Sequence, residues 1–263
     1  MKKLIFIFVI MMAAFIVWWN RGPKMGDGAL VDVEPISFSQ DLLYAARTNS
    51  DTEAFLDTLA NIKLDYLAQQ LQTDSQKLAF WLNLYNGLTQ IILKHDSSLA
   101  GTRFYSKDLI ELGKTRMSLD IIEHGILRRF QVKYGFGYLS SWFPSKFEKM
   151  FALKNPDPRI HFALNCGAAS CPPIAFYQPE RIDQQLNMAT RGYLESKARY
   201  DQHQNVVYAP AIMSWFRGDF GGKAGVVAFL REYGVMPDAS EPTVKYDNFD
   251  WTMKLNNFQQ DSM

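Results

Sequence analysis

The chain has 263 residues, of which 48% are hydrophobic and 14% aromatic, which is enough to bury one full core. Its 28 Lys and Arg residues nearly balance 27 Asp and Glu residues, so the formal charge of +1 gives no support to nucleic-acid binding. No block of five or six like charges is present, so the sequence indicates no acidic or basic interaction tail.

The N-terminus carries an apolar run, Leu4–Trp19, that follows Lys2 and Lys3. At about sixteen residues, the run lies between the core of a signal peptide and a full membrane span. It ends in a pair of tryptophans, which is typical of the membrane interface, and no small-residue cleavage site follows. We therefore predict that residues 1–20 form an uncleaved membrane-anchor helix; the alternatives are a cleaved signal segment and a buried helix.

The charges beside this run predict its orientation. Two lysines precede it, so the short N-terminus is expected in the cytoplasm. The bulk of the chain is then expected to be periplasmic or otherwise extracytoplasmic, and attached to the membrane by its first segment. The remaining sequence divides into a linker over residues 21–37, one globular domain over residues 38–256 and a tail over residues 257–263.

Helical patterns dominate the first half of the globular domain. They begin near Ser39, Thr52 and Lys63, and a fourth helix is predicted from Asp74 to Lys94. Apolar residues surround the axis of this fourth helix, which predicts a central and buried position.

Three amides interrupt the apolar character of the fourth helix. Asn83, Asn86 and Gln90 are spaced so that they share one face. Buried amides need hydrogen-bond partners, so this face is expected to meet polar groups outside its own helix. The amides either tie down a neighbouring loop or line a binding site.

A further helix is predicted to begin at Ser118 and to contain Glu123, His124 and Gly125. Glycine inside a helix costs about 1 kcal/mol relative to alanine, so Gly125 indicates the close approach of another backbone. His124 is a candidate general base. The adjacent glutamate is a poor partner to orient it, because neighbours in a helix point about 100° apart.

The segment Arg159–Pro173 holds both cysteines and one of the four histidines. Its apolar beginning predicts a buried strand, and the small residues after it predict a turn. Further strands are predicted at residues 205–208, 243–246 and 251–255. The expected fold class is α+β, with the helical first half packed on an antiparallel sheet.

Five blocks of the chain resemble, in order, the domain-of-unknown-function family 547: Phe80–Asn86, Ser118–Leu127, Arg159–Pro173, Ser214–Phe220 and Tyr246–Asn256. The blocks cover most of the globular domain and together are highly specific. The family implies no settled activity. The resemblance therefore supplies site candidates without roles: Asn83, Asn86, Glu123, His124, His161, Asn165, Cys166, Ser170 and Cys171.

Three chemistries compete for the cysteine segment. In the first, Cys171, in preference to Cys166, is a nucleophile with His161 or His124 as its base, and the turn at Ser170 donates to an oxyanion. In the second, the two cysteines form a structural disulfide, which is ordinary in an exported chain, or remain inert buried thiols. In the third, both cysteines and both histidines bind a metal. No second ligand pair of zinc-site spacing follows, so neither a metal nor a cofactor is expected.

Arg217 is the last candidate, because it either pairs with Asp219 or receives a substrate carboxylate. The leading hypothesis is a cysteine-dependent hydrolase or acyl transferase that acts outside the membrane on an unidentified small molecule or peptide. The alternative is a non-catalytic binding or scaffold domain in which Cys166 and Cys171 form a disulfide.

Overall fold

The computed structural model describes residues 31–101 and 103–260. The apolar run Leu4–Trp19, and with it the predicted anchor, lies outside the described residues. Within those ranges, no helix combines the length and the apolar character that crossing a membrane requires. The predicted α+β class is confirmed, with two small sheets beside a large helical part.

Four helices lie within residues 35–95: α1 (Pro35–Thr48), α2 (Glu53–Ala60), α3 (Leu64–Gln70) and α4 (Asp74–His95). Helix α1 begins at Pro35, within the segment predicted as a linker over residues 21–37. The Glu34 carboxylate accepts hydrogen bonds from the backbone N–H groups of Ile36 and Ser37, and this cap starts α1 at Pro35.

Helix α4 is the central element, and its predicted burial is confirmed. A capping box between Thr73 and Gln76 fixes its beginning. Helix α1 packs against α4 so closely that a Cβ at Gly87 would lie 2.4 Å from Leu42 Cδ2. The larger of two apolar cores is built around this helix pair.

The middle of the chain is irregular. A 3₁₀ turn (Ser97–Leu99) precedes the antiparallel hairpin of β1 (Ile110–Leu112) and β2 (Thr115–Met117). Next come a π-helix (Ile121–Leu127), α5 (Lys146–Phe151) and a 3₁₀ helix (Pro158–Phe162). The predicted helix after Ser118 is therefore present mainly as a π-helix, a rare form that is frequent at functional sites.

The buried strand predicted from Arg159 is wrong. Pro158 begins the 3₁₀ helix and the Asp157 carboxylate caps it by accepting from Arg159 N–H. A short apolar run by itself does not distinguish a strand from a buried helical turn. Here Pro158 and the Asp157 cap favour the helical turn.

The second half contains a 3₁₀ turn (Pro179–Arg181), α6 (Ile182–Lys197), β3 (Arg199–Asp201), β4 (Val206–Ala209), α7 (Ala211–Trp215), α8 (Gly222–Glu232) and β5 (Thr243–Tyr246). Strands β3 and β4 are antiparallel, as predicted, but β5 runs parallel to β4. The sheet is therefore mixed, because α7 and α8 form a crossover between β4 and β5. The strand predicted at residues 251–255 is reduced to a single bridge between Ala168 and Met253.

Candidate functional site

A cavity of about 310 Å³ lies where the two apolar cores meet. Five of the predicted site residues line it: Glu123, His124, His161, Cys166 and Cys171. Asn83, Asn86, Asn165, Ser170 and Arg217 are not among the lining residues. The complete lining is Tyr85, Tyr105, Asp120, Glu123, His124, Lys133, Tyr134, Phe136, His161, Leu164, Cys166, Cys171, Pro172, Ile212, Trp215, Phe216, Phe249 and Trp251.

The amides of α4 hold two loops in place beside the cavity. Asn83 Nδ2 donates to Tyr177 O at 2.9 Å, and its Oδ1 accepts from Tyr177 N at 2.9 Å. Asn86 Nδ2 donates to Ala163 O at 3.0 Å, and its Oδ1 accepts from Asn165 N at 2.8 Å. The prediction that both amides bond to groups outside their own helix is confirmed, and the bonds have the character of structural ties.

Asn165 and Ser170 shape the cysteine loop. Asn165 Nδ2 donates to Pro172 O at 2.7 Å, and Asn165 Oδ1 accepts from Gly167 N at 2.8 Å. Ser170 Oγ accepts from Asp250 N at 2.9 Å. Backbone amides of the turn that were expected to donate to an oxyanion bond to protein groups instead, such as Ala169 N to Thr252 O at 2.8 Å.

The two cysteines form a disulfide, with an S–S distance of 2.03 Å. Neither sulfur is a thiolate in this state, so the predicted Cys171 or Cys166 nucleophile is absent from the oxidised molecule. For the same reason the cysteines do not supply thiolate ligands to a metal. Cys171 Sγ accepts hydrogen bonds from the backbone N–H groups of Cys166 and Ala168, at 3.1 and 3.3 Å.

We expect thiol titration of the native protein to find no reactive thiol, and titration after reduction in denaturant to find two. Closing so short a loop stabilises the fold by about 2 kcal/mol in the chain-entropy estimate, so the Cys166→Ala/Cys171→Ala variant should lose about that much. The matched control is the exposed Ser97→Ala replacement. A rapidly reacting thiol in the native protein would contradict the disulfide.

Asp219 pairs with Arg128 and His161, not with Arg217 as one reading of the sequence predicted. Arg128 donates to both Asp219 oxygens, from Nε at 2.6 Å and from Nη2 at 3.0 Å. His161 Nε2 lies 2.8 Å from Asp219 Oδ2. The Arg217 guanidinium instead lies over the Phe136 ring, 5.3 Å from its centroid.

The neighbours of the two histidines fix their protonation. A guanidinium only donates hydrogen bonds, so His124 Nδ1, which is 2.9 Å from Arg128 Nη1, must be the acceptor. Burial and the positive charge of Arg128 hold the pKa of His124 well below its usual range. His124 is therefore neutral, with its proton on Nε2. This N–H lies 3.6 Å from Asp120 Oδ1, beyond normal hydrogen-bond distance.

His161 has the opposite tautomeric arrangement. Burial raises the pKa of Asp219, but the hydrogen bonds from His161 and Arg128 outweigh burial and lower it to about 2. The ionised carboxylate only accepts, so His161 Nε2 carries the proton. Burial lowers the pKa of His161, despite Asp219, and leaves the ring neutral. Its Nδ1 is buried and has no hydrogen-bond partner among the described residues.

Phe216 holds the imidazole of His161 in place. The two rings stack at 4.0 Å between centroids and 5° between planes. The guanidinium of Arg128 lies 4.5 Å from the centroid of the same Phe216 ring. Hydrogen bonds and stacking therefore fix both the tautomer and the orientation of His161.

Glu123 carries a largely buried carboxyl group, and its Oε1 lies 3.7 Å from His124 Nδ1. Burial raises its pKa to about 7, although Arg128 opposes the shift. Tyr85 Oη donates to Glu123 Oε2 at 3.4 Å. Gly125 follows in the π-helix, where a Cβ would lie 2.5 Å from Glu148 Oε1, so a side chain and not the expected backbone approaches there.

Glu123→Gln should change how stability depends on pH. Glu123 keeps its proton to about pH 7 in the folded state and to about pH 4.5 when unfolded, so its contribution to the free energy of unfolding falls as pH rises through this window. Relative to the parent, the glutamine variant should therefore gain on the order of 3 kcal/mol between pH 5 and pH 8 in urea unfolding.

His124 and His161 are present in both the parent and the Glu123→Gln variant. Their contributions to the pH dependence of the free energy of unfolding therefore largely cancel in the difference. The exposed Glu195→Gln replacement on α6 is the matched control and should show no such gain. An equal difference between parent and Glu123→Gln at both pH values would contradict the raised pKa.

Asp120 and Lys133 complete the polar wall. Lys133 Nζ donates to both Asp120 oxygens, at 2.9 and 2.7 Å. Burial raises the pKa of Asp120, and Lys133 opposes that shift. Sequence reasoning missed these two residues together with Arg128 and Asp219 as members of the site. The only local signal was the placement of Arg128 four residues after His124.

The family model described as "Protein of unknown function, DUF547" matches residues 68–194. The matched range includes α4, the π-helix and the disulfide loop, so the resemblance seen in the sequence is confirmed there. No curated protein and no solved structure matches the chain. The family description supplies no activity.

Proposed function

We propose that the domain binds a small, uncharged molecule that has an aromatic or otherwise apolar body and a head group able to both accept and donate hydrogen bonds. The cavity with its two oppositely protonated imidazoles carries the proposal. Its volume of about 310 Å³ lies at the lower end of the range of small-molecule sites. Aromatic side chains supply eight of the eighteen lining residues, which suits a flat apolar ligand.

The head group follows from the two tautomers. His124 offers an N–H at Nε2, because Arg128 occupies its Nδ1. His161 Nδ1 is buried without a partner among the described residues and would supply the lone pair, because Asp219 occupies Nε2. A primary carboxamide matches this pair, since its oxygen accepts from one ring and its N–H donates to the other.

The charges around the site favour an uncharged ligand. Lys133 is neutralised by Asp120, and Arg128 is neutralised by Asp219. Among the lining residues, a ligand carboxylate would therefore find no unpaired cation. A ligand cation would find Asp120 already paired and Glu123, whose pKa is about 7, still partly protonated at neutral pH.

Titration with naphthaleneacetamide, followed by tryptophan fluorescence, tests this proposal. We expect saturable binding, and weaker binding of naphthaleneacetate. His161→Phe keeps a ring stacked on Phe216 but removes the acceptor, and it should weaken amide binding about tenfold, the equivalent of one hydrogen bond. His203→Phe, at an exposed histidine, is the matched control. Equal binding of amide and acetate, or equal affinity in the two variants, would overturn the proposal.

A second candidate is the cysteine-dependent hydrolase or acyl transferase, in the reduced state of the protein. Two backbone N–H groups already point at Cys171 Sγ, an arrangement that stabilises a thiolate. A dithiol would reduce the disulfide to two thiols, with transfer of two electrons and two protons. The Cys171 thiol would then pass its proton to His161, and the thiolate would add to an acyl carbon and expel an alcohol. Water would cleave the resulting thioester.

A burst of nitrophenolate from p-nitrophenyl acetate tests the second candidate. We expect a burst from reduced parent and from reduced Cys166→Ser, and none from Cys171→Ser or from the oxidised protein. The absence of a burst from the reduced parent would exclude a catalytic Cys171.

We also propose that Leu4–Trp19 stays attached as a membrane anchor and that the domain is extracytoplasmic. The paired tryptophans support the anchor, and a disulfide suits an oxidising compartment. N-terminal sequencing of protein from the membrane fraction should begin at or near Met1. A start beyond residue 20 would contradict the anchor.

A further inference from the structure

Residues 130–143, here called the aromatic hairpin, form a compact excursion next to the cavity. Backbone hydrogen bonds close it, from Val132 N to Leu139 O at 2.8 Å and from Ser141 N to Phe130 O at 2.6 Å. Its tip is held to the domain by the bond from Gly218 N to Phe136 O at 2.7 Å. The hairpin therefore presents its side chains from a fixed base.

The hairpin exposes an unusual amount of apolar surface. Trp142 is 87% exposed and Tyr134 is 77% exposed. The exposed large side chains of the hairpin are Tyr134, Phe136, Tyr138, Leu139, Trp142 and Phe143. Single exposed apolar residues are normal on a protein surface. Six of them on one short segment form a patch, and such patches mark interaction surfaces.

Charge and residue type indicate what covers this surface. Residues 128–147 contain no Asp or Glu. Arg129 and Lys146 in that stretch, and Lys149 just beyond it, are exposed cations. Tryptophan and tyrosine with flanking cations are the side chains that occupy the headgroup region of a bilayer.

We infer that the aromatic hairpin inserts into the headgroup region of a bilayer that contains anionic lipid. The same element supplies Lys133, Tyr134 and Phe136 to the cavity lining, so docking would place one wall of the cavity at the lipid surface. An apolar ligand could then enter from the bilayer without crossing water.

The tether supports this geometry, in a step that rests on the proposed anchor. Residues 20–30 separate the apolar run from the first described residue. Even fully extended, these residues span at most about 40 Å. An anchored domain would therefore remain within reach of the surface into which the hairpin inserts.

An environment-sensitive fluorophore on the full-length chain tests the inference. Trp142→Cys is labelled with nitrobenzoxadiazole under non-reducing conditions, which leave the native disulfide intact. Gln202→Cys, at the exposed turn between β3 and β4, is the matched control. Protein recovered with floated phosphatidylglycerol/phosphatidylcholine vesicles is then compared with protein in buffer.

We expect the label at position 142 to shift to the blue and to be quenched by lipid-bound doxyl groups, and the label at position 202 to do neither. Replacing Lys146 and Lys149 by Gln should lower insertion into anionic vesicles about fivefold per charge. Failure to float, or floating with the label at position 142 still in water, would overturn hairpin insertion; the second result would leave the anchor standing. A blue shift before lipid is added would assign the surface to protein contacts instead, and would also overturn the inference.

Discussion

Replacing Arg128 by methionine is expected to lower the free energy of unfolding by about 3–5 kcal/mol. The Arg128 side chain is 1% exposed and donates to both oxygens of Asp219 and to His124. Methionine fills most of the same space but leaves the Asp219 carboxylate buried with only His161 to stabilise its charge. Urea unfolding at neutral pH measures the loss.

Arg129→Met is the matched control, because Arg129 is the next residue but is exposed. The Arg129 guanidinium donates to the carbonyl of Lys154. Arg129→Met should lower the free energy of unfolding by much less than Arg128→Met does. The double variant Arg128→Met/Asp219→Asn should be more stable than the sum of the two single losses predicts, because no unpaired charge remains. Equal losses for Arg128→Met and Arg129→Met would contradict the buried ion network.

Acid should remove the contribution of Asp219 in the parent protein. Its folded-state pKa of about 2 lies below its ordinary value of 3.8. The contribution is therefore present above about pH 4 and is lost as pH falls towards 2. The loss should be smaller in Arg128→Met, because Arg128 is one of the two groups that lower this pKa.

Asn86→Leu is expected to cost about 2–6 kcal/mol, because it leaves two buried backbone groups without partners at about 1–3 kcal/mol each. These groups are the carbonyl of Ala163 and the N–H of Asn165. They lie just before Cys166, so the disulfide loop should loosen as well. The measurement is urea unfolding, combined with amide hydrogen exchange of the loop.

The control for Asn86→Leu is Gln69→Leu, which removes an exposed amide from α3. It should change the free energy of unfolding by no more than about 0.5 kcal/mol. A loss below about 1 kcal/mol for Asn86→Leu would contradict the role of the amide as a tie between α4 and the loop.

The sequence predicted those features whose causes are local. Helix α4 follows from apolar residues around its axis and from its end signals, and its buried amides had to find partners because water is excluded there. The spacing of Cys166 and Cys171 made a disulfide one of the open alternatives, but spacing does not determine redox state. The α+β class likewise followed from the order of helical and strand patterns.

Other features depended on contacts that no local pattern encodes. The parallel pairing of β5 with β4 needs the crossover made by α7 and α8, and the 3₁₀ helix at Pro158 replaces a strand that periodicity alone had favoured. Asp219 meets His161 and Arg128 across 58 and 91 residues of sequence. Its nearest basic residue in sequence, Arg217, was the wrong partner.

By itself the sequence therefore determined the fold class, the central helix with its amide ties and the residues rich in potential chemistry. The tertiary structure alone decided which of them share a cavity, which tautomer each histidine has and which carboxyl group keeps its proton. The physical reason is that periodicity and capping act over a few residues. Burial and ion pairing, which set the protonation of a site, depend on groups that only the folded chain brings within a few ångströms.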